Sequence, residues 1–548
     1  MTKDLFKKVV YQIYPRSFKD SNGDGFGDLR GVIEKVPYLG KLGVDMIWLN
    51  PFYVSPQNDN GYDIADYTAI DPRFGTMEDF EELVAEAKKY GIGIMLDMVL
   101  NHTSTEHEWF QKALAGDEKY MKYYYLRPGK ADGSLPTNWE SKFGGPAWQP
   151  FGDTDLYYMN LYDKTQADLD WHNPEVREEL YKVVNFWKEK GVTGFRFDVI
   201  NVIGKDEVLV DSENPTQEKT LYTDTPIVHD YLKGLNQATF GSDPEIMTVG
   251  EMSATTIENC ILYTRPDREE LSMAFSFHHL KVDYKDGDKW ANQPFDFIEL
   301  KRIMNDWQVR MDEGGGCNAL FWNNHDQPRA LTRFCDDKNY RVEAAKMLGQ
   351  TIHMMKGVPY IYMGEEIGMT DPGFDSIDHY KDIESHNAYQ MLLDKGLSEE
   401  EAMEVIKVKS RDNSRTPIQW DDSANAGFTT GKPWLEVASN YKRVNVKEEL
   451  ESGSIFDYYR ELIRLRKALP IISEGSYKPL LQDHPQVFAY EREYEGQTLL
   501  VVSNFYAEEA AVDVKDKHFT YLMGNYGVRD FQEHLVLKPY ETVAFYSK

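Results

Sequence analysis

Short apolar runs, rich in β-branched and aromatic residues, recur through the first 365 residues of the chain. They are Val9 to Tyr14, Met46 to Leu49, Ile92 to Met98, Gly194 to Phe197, Ile246 to Val249, Met273 to Phe277, Ala319 to Trp322 and Pro359 to Met363. Helical patterns separate them, as at Met77 to Tyr90 and Pro174 to Lys190. Such alternation predicts parallel strands joined by crossover helices. Eight units predict an α/β fold closed as a (β/α)8 TIM barrel.

The interval between the third and fourth runs is too wide for one helix. Residues 103–171 there are rich in Trp, Tyr, Gly and Pro, and are expected to form an inserted subdomain after strand 3. From about residue 473 the pattern changes to short alternating strands, such as Val487-Phe488-Ala489-Tyr490 and Leu499-Leu500-Val501-Val502-Ser503. That tail predicts an antiparallel β-sandwich. The expected organisation is a barrel over residues 1–102 and 172–472, a subdomain over 103–171 and a C-terminal domain over 473–548.

Composition narrows the function mainly by exclusion. A length of 548 residues suits a large barrel with appendages. The net charge of −30 argues against nucleic acid, whose phosphates need a basic face. The first residues lack the apolar stretch and cleavage site of a signal peptide, and nowhere do about 18 apolar residues run together, so no membrane span is expected. Cys260, Cys317 and Cys335 are too few and too scattered for a disulfide framework and fit a reducing cytoplasm. A monomer or weak oligomer is expected. Aromatic residues make up 13% of the chain, enough to stack on sugar rings as well as to fill a core.

In a barrel of this kind, chemistry sits at the C-terminal ends of the strands. The third run leads to Asn101-His102, the fourth ends Arg196-Phe197-Asp198, the fifth leads to Glu251, the sixth to His278-His279 and the seventh to Asn324-His325-Asp326. Three carboxylates from three strands suit cleavage of a glycosidic bond. One must stay ionised below the developing oxocarbenium centre, and another must hold a proton for the leaving oxygen. Arg196 shares a strand face with Asp198 and is placed to keep that carboxylate charged.

Two further stretches ask for ligands. Asp20-Ser-Asn22-Gly-Asp24-Gly25-Phe26-Gly27-Asp28 alternates oxygen side chains around glycines, as hard cations require, but Gly31 stands where an EF-hand has its bidentate Glu. The segment after the sixth run holds Lys281, Lys285 and Lys289 interleaved with Asp283, Asp286 and Asp288. It reads either as a solvated charge run or, from its place on the catalytic face, as a lip where His279, Lys281 and Lys289 meet a phosphate.

The stretches Asp97-Met-Val-Leu-Asn101-His102, Gly194-Phe-Arg196-Phe-Asp198, Val249-Gly-Glu251 and Asn324-His325-Asp326 resemble the four signature regions of the α-amylase family, glycoside hydrolase family 13. Tyr11-Gln-Ile-Tyr-Pro-Arg-Ser-Phe18, Asn60-Gly-Tyr62-Asp63-Ile and Ser410-Arg411-Asp-Asn-Ser-Arg415-Thr-Pro are similar to its oligo-1,6-glucosidase branch. The resemblance implies retaining hydrolysis, with Asp198 as nucleophile, Glu251 as acid/base and Asp326 gripping the sugar. It also implies a first sugar site lined by Tyr62, Asp63, His102, Arg196, His325, Arg411 and Arg415, with the two catalytic carboxyls roughly 5–5.5 Å apart. Relatives with a Val after the nucleophile, as Val199 stands here, tend not to cut α-1,4 bonds. The resemblance further implies a structural Ca2+ held by Asp20, Asn22, Asp24, Asp28 and the carbonyl of Phe26, with no cofactor for catalysis.

Within the family, Phe275-Ser-Phe277-His278-His279-Leu-Lys281-Val-Asp283-Tyr284, together with Pro136 to Gly145 and Gly314 to Trp322, resembles the trehalose-6-phosphate hydrolases more than the oligo-1,6-glucosidases. The expected substrate is therefore a disaccharide phosphate. A neutral isomalto-oligosaccharide is the alternative, and a catalytically dead binding subunit is the reading from another class.

Overall fold

The structure is a computed structural model that describes residues 4–213 and 218–548. Eight parallel strands form its centre: β1 (Val10–Ile13), β2 (Met46–Leu49), β3 (Gly93–Met98), β4 (Gly194–Phe197), β5 (Met247–Glu251), β6 (Met273–Phe275), β7 (Ala319–Leu320) and β8 (Val358–Tyr362). They pair in the order β6-β5-β4-β3-β2-β1-β8-β7. A parallel bridge between Ala274 and Asn318 joins β6 to β7 and closes the ring. Nearly every strand residue is buried, which explains why the runs are continuously apolar rather than alternating.

Each strand leads to a helix of the outer ring: α1 (Leu29–Leu42), α2 (Met77–Lys89), α3 (Pro174–Glu189), α4 (Pro226–Ala238), α5 (Ile257–Thr264), α6 (Phe297–Glu313), α7 (Arg341–His353) and α8 (Ile455–Ala468). Their starts follow from local chemistry. Thr76 and Asp79 form a reciprocal capping box at α2, and Asn173 caps α3 ahead of a proline at its first position. Val176, Leu180, Val183, Val184 and Trp187 then turn one face of α3 inward.

Between β3 and α3 the chain makes a three-stranded antiparallel sheet, Leu126–Pro128, Leu156–Met159 and Trp148–Pro150 in that order. A two-stranded ladder, His102–Ser104 with Gln166–Asp168, stitches this insertion to the end of β3. Lys205, Asp168 and Asn101 lock the junction: the Lys205 ammonium lies 2.9 Å from the Asp168 carboxylate and 2.9 Å from Asn101 Oδ1, with both charged side chains fully buried.

A second excursion, over residues 363–454 between β8 and α8, has no counterpart in the sequence reading. It contains helices Ile383–Asp394 and Glu399–Lys409 and delivers Asp382, Glu384, Arg411 and Arg415 to the catalytic face. The final segment forms a five-stranded antiparallel sheet and a facing two-stranded one, with Val487, Leu500, Val512, Leu535 and Phe545 among the residues packed between them. Its Arg492 donates to the carbonyls of Met354, Ile472 and Gly475, which fastens it to the barrel.

Candidate active site

Arg196, on the inward face of β4, is 1% exposed. Its Nη1 donates to Asp97 Oδ1 and to Asp198 Oδ1, each at 2.6 Å, and its Nη2 donates to Glu251. Three carboxylates from three neighbouring strands thus share one positive charge. They cannot all be ionised without a large repulsion, so the proton stays with the least compensated of them. Burial pushes Glu251 up to about 8, against the pull of Arg196 and with the help of Asp198 and Asp326. Burial also raises Asp198 and Asp97, with Arg196 the main opposing charge, and both settle at about 6. At neutral pH Glu251 is therefore the acid of the group, and Asp198 the carboxylate. A hydrogen bond links their carboxyls.

Asp326, at the end of the seventh strand's loop, has the opposite environment. Arg415 Nη2 lies 2.8 Å away, Arg411 Nη1 3.3 Å and His325 Nε2 3.2 Å. Burial opposes its charge, but His325 and the two arginines hold the carboxyl well below the usual range. Burial and the same arginines push His325 down to about 3, so at neutral pH the arginines carry that effect. The Gln12 amide donates to His325 Nδ1 at 3.0 Å, which places the ring proton on Nε2, facing Asp326 and the Tyr62 hydroxyl at 2.9 Å. Tyr62 stacks on His325 at 5.5 Å and donates to Asp97 Oδ2 at 3.0 Å, so the Asp326 and Arg196 clusters form one network.

Of the expected site residues, the structure brings Asp198, Glu251, Asp326, Arg196, Tyr62, His325, Arg411 and Arg415 into this network. His102 lies beside it, with Nε2 3.1 Å from the Tyr62 carbonyl. Asp63 sits below the rim, its oxygens taken by Ser55 Oγ and the backbone N–H groups of Asn58 and Asp59. Val199, directly after Asp198, has φ 38 and ψ 39. A β-branched residue in the left-handed region is strained, and such strain clusters at functional sites.

The cationic lip is not assembled as expected. His279 points away, with Nε2 2.9 Å from the Phe321 carbonyl. Burial pushes it down to about 4, so it is uncharged at neutral pH and already committed. Lys281 lines a groove of about 450 Å3 between α5 and α6, among Glu258, Glu299, Arg302, Asp306 and Arg310. Lys289 does face the site: its ammonium lies 2.9 and 3.0 Å from the two oxygens of Glu384, which in turn lies 3.1 Å from Arg411.

The Asp20–Asp28 loop closes on its own hydrogen bonds. Asn22 Oδ1 accepts from Asp24 N–H, Asp24 Oδ1 from Phe26 N–H, and Asp28 from Ser21 and from Gly31 at the start of α1. Among the described residues no group of three or more His, Cys, Asp or Glu side chains is placed to hold a metal ion. Asp20 is held in the same net, with both oxygens accepting from loop amides or Thr429. It is 3% exposed, and hydrogen bonds from Thr429 and three loop amides outweigh its burial and keep it charged.

Sequence reasoning missed the residues that hold the site in shape. Asp382, on the second excursion, accepts from Arg411 Nε and Nη2 at 2.9 and 2.8 Å, and no local pattern marks it. Gln12 was readable as a polar residue inside an apolar strand, which in a buried strand asks for a partner.

The catalytic domain of α-amylases matches residues 12–475, and the C-terminal domain of maltogenic amylases matches residues 477–543. The chain belongs to the α-amylase family. Across 98% of its length it is 51% identical to a trehalose-6-phosphate hydrolase of Bacillus subtilis (strain 168), covering 97% of that protein. It is 48% identical to an oligo-1,6-glucosidase of Bacillus cereus over 100% of both chains. The crystal structure of Bacillus licheniformis trehalose-6-phosphate hydrolase (TreA) superimposes with a TM-score of 0.96 at 50% identity, covering 99% of each chain. Family membership accounts for the shared barrel, insertion and C-terminal sheet domain. It leaves the choice between a phosphorylated and a neutral sugar to the rim.

Proposed function

We propose that the protein is a cytoplasmic retaining α-glucosidase, monomeric or weakly oligomeric, that hydrolyses trehalose 6-phosphate to glucose and glucose 6-phosphate. The observation that carries the hydrolase is the sharing of Arg196 among Asp97, Asp198 and Glu251, which sorts one acid from one carboxylate. In this reading Asp198 attacks the anomeric carbon while Glu251 gives its proton to the departing oxygen. Glu251, now a carboxylate, then takes a proton from the water that releases the sugar from Asp198. Asp326, held ionised by Arg411 and Arg415, grips the ring hydroxyls that tighten as the ring flattens. Tyr62 and His325 wall the same site. The intact network speaks against a dead binding subunit.

The phosphate is supported by the trehalose-6-phosphate hydrolase relatives and by Lys289 at the rim. The second reading, an oligo-1,6-glucosidase for neutral isomalto-oligosaccharides, is favoured by the Glu384 carboxylate that already neutralises Lys289. Turnover of trehalose 6-phosphate and of isomaltose, measured side by side, decides: a preference for isomaltose removes the phosphate from the proposal. A Ca2+ ion anchored on Asp20, with Asn22, Asp24, Asp28 and the Phe26 carbonyl as the remaining oxygen donors, would act on stability alone.

A further inference from the structure

A ring of hydrogen bonds that starts at Asp97 sets where His325 carries its proton. Asp97 Oδ2 accepts from the Trp48 indole at 3.2 Å and from the Tyr62 hydroxyl at 3.0 Å. That spends the only proton of the Tyr62 hydroxyl. The hydroxyl therefore accepts from its other two neighbours, Asn50 Nδ2 at 2.8 Å and His325 Nε2 at 2.9 Å. With its amide nitrogen turned to Tyr62, Asn50 presents Oδ1 to Gln12, whose Nε2 lies 3.0 Å away. The same Gln12 nitrogen lies 3.0 Å from His325 Nδ1, and Asn50 Nδ2 adds a second amide donor at 3.3 Å. One route through Tyr62 and one through Gln12 thus reach the two ring nitrogens separately and ask for the same tautomer.

The barrel holds these groups in place. Gln12 sits in β1, opposite Trp48 of β2 and Tyr362 of β8. Asn50 follows β2 directly, and its backbone N–H donates to the Ile13 carbonyl at 3.1 Å. Gln12, Asn50 and His325 are each 1% exposed, so solvent does not compete for their bonds. The Tyr14 and Tyr62 rings lie within 18° of the imidazole plane, with centroids 6.1 and 5.5 Å from it, and the Trp48 ring stands perpendicular. The aromatic rings fix the plane of His325; the amides and the hydroxyl fix its proton. Burial, helped by Arg415, Arg196 and Arg411, outweighs Asp326 and keeps the ring neutral, so it has one proton to place.

We propose that Gln12 is a positioning residue for catalysis, itself oriented through Asn50, that keeps the His325 proton on Nε2. From there the proton faces the Asp326 carboxylate, 3.2 Å away. A bare Nε2 would turn a lone pair on that carboxylate and on the Tyr62 hydroxyl oxygen. Asp326 would then lose a donor and gain a repulsion with no change in its place beside the sugar. The inference rests on the glucosidase reading of the site and holds whether or not the sugar is phosphorylated.

The test compares the full-length protein with Gln12→Glu and Gln12→Met. Both variants lose the donor to Asn50 Oδ1, so a packing defect affects them alike. Only glutamate sets a carboxylate against Nδ1 and draws a proton there, giving either a neutral ring with a bare Nε2 or a ring with two protons. Either form changes the donor or the charge that faces Asp326. Nitrogen NMR of isotope-labelled histidine, with His325 assigned among the 13 histidines by His325→Gln, is expected to show the proton on Nε2 in the parent and in Gln12→Met, and a proton on Nδ1 in Gln12→Glu. The kcat/KM for p-nitrophenyl α-glucoside is expected to be lower in Gln12→Glu than in Gln12→Met by about tenfold or more. Equal losses in the two variants, or a parent ring protonated on Nδ1, would overturn the proposal. If Gln12→Glu does not fold, the parent spectrum decides between the two nitrogens. A parent that hydrolyses no glucoside defeats the glucosidase reading instead, and the spectra still judge the orientation of His325.

Discussion

Replacing Asp97 with asparagine is expected to shift the whole pH–rate profile toward acid. Asp97 is fully buried, and its Oδ1 lies 2.6 Å from the same Arg196 nitrogen that holds Asp198 Oδ1 at 2.6 Å. The two oxygens are therefore at most about 5.2 Å apart. Two unit charges at that separation repel by roughly 3 kcal/mol at an effective dielectric near 20, and by roughly 0.8 kcal/mol in bulk water. At about 1.4 kcal/mol per pH unit, this brackets the shift between roughly 0.6 and 2.4 units. The sign follows from the charges. Asparagine removes a neighbouring negative charge, so ionised Asp198 is stabilised and its pKa falls from about 6. Arg196 then serves two carboxylates instead of three, so Glu251, near 8 in the parent, also ionises earlier. Both limbs of the profile move down together. The assay is kcat/KM for p-nitrophenyl α-glucoside across pH 4 to 10, with thermal melting to confirm that the variant is folded. Limbs that stay put, or move toward alkali, would refute the claim that Asp97, Asp198 and Glu251 share one charge.

Four further outcomes are expected. Asp198→Ala abolishes hydrolysis of every glucoside while leaving the melting temperature near that of the parent; residual turnover at more than a trace would assign the nucleophile elsewhere. Lys289→Ala raises KM for trehalose 6-phosphate, whereas Lys281→Ala, in its outer groove, leaves it nearly unchanged; the reverse order would return the phosphate to the α5–α6 side. Lys205→Met removes the partner of the buried Asp168 carboxylate, so urea unfolding should show a loss of about 3–5 kcal/mol, and a loss under about 1 kcal/mol would mean that the junction does not depend on this ion pair. Added Ca2+ raises the melting temperature and Asp20→Asn removes that increment; a melting curve indifferent to Ca2+ and to EDTA would leave the loop a self-sufficient turn.

The sequence by itself determined the barrel and the reacting groups. A strand buried on both faces must be continuously apolar, so eight such runs were visible at once, and the residues that break the pattern at their ends had to be the polar groups of the rim. Arg196 and Asp198 were readable as partners because a period of two puts them on one face of β4. Tertiary structure alone decided how these groups are charged and which cations stand beside them. Asp97, Asp198 and Glu251 come from strands 3, 4 and 5, and only the side-by-side pairing of those strands makes them compete for one guanidinium. Asp382 and Glu384 reach Arg411 from an excursion with no strand signal. His279 carries the same side chain wherever it stands, yet burial against the Phe321 carbonyl leaves it neutral. Gln12 lies 313 residues from His325 and meets it only because the barrel sets the first strand near the loop after the seventh. Local pattern reports burial and period, which are properties of short segments. Charge state and contact depend on every group within a few ångströms, and those groups are brought together by the fold.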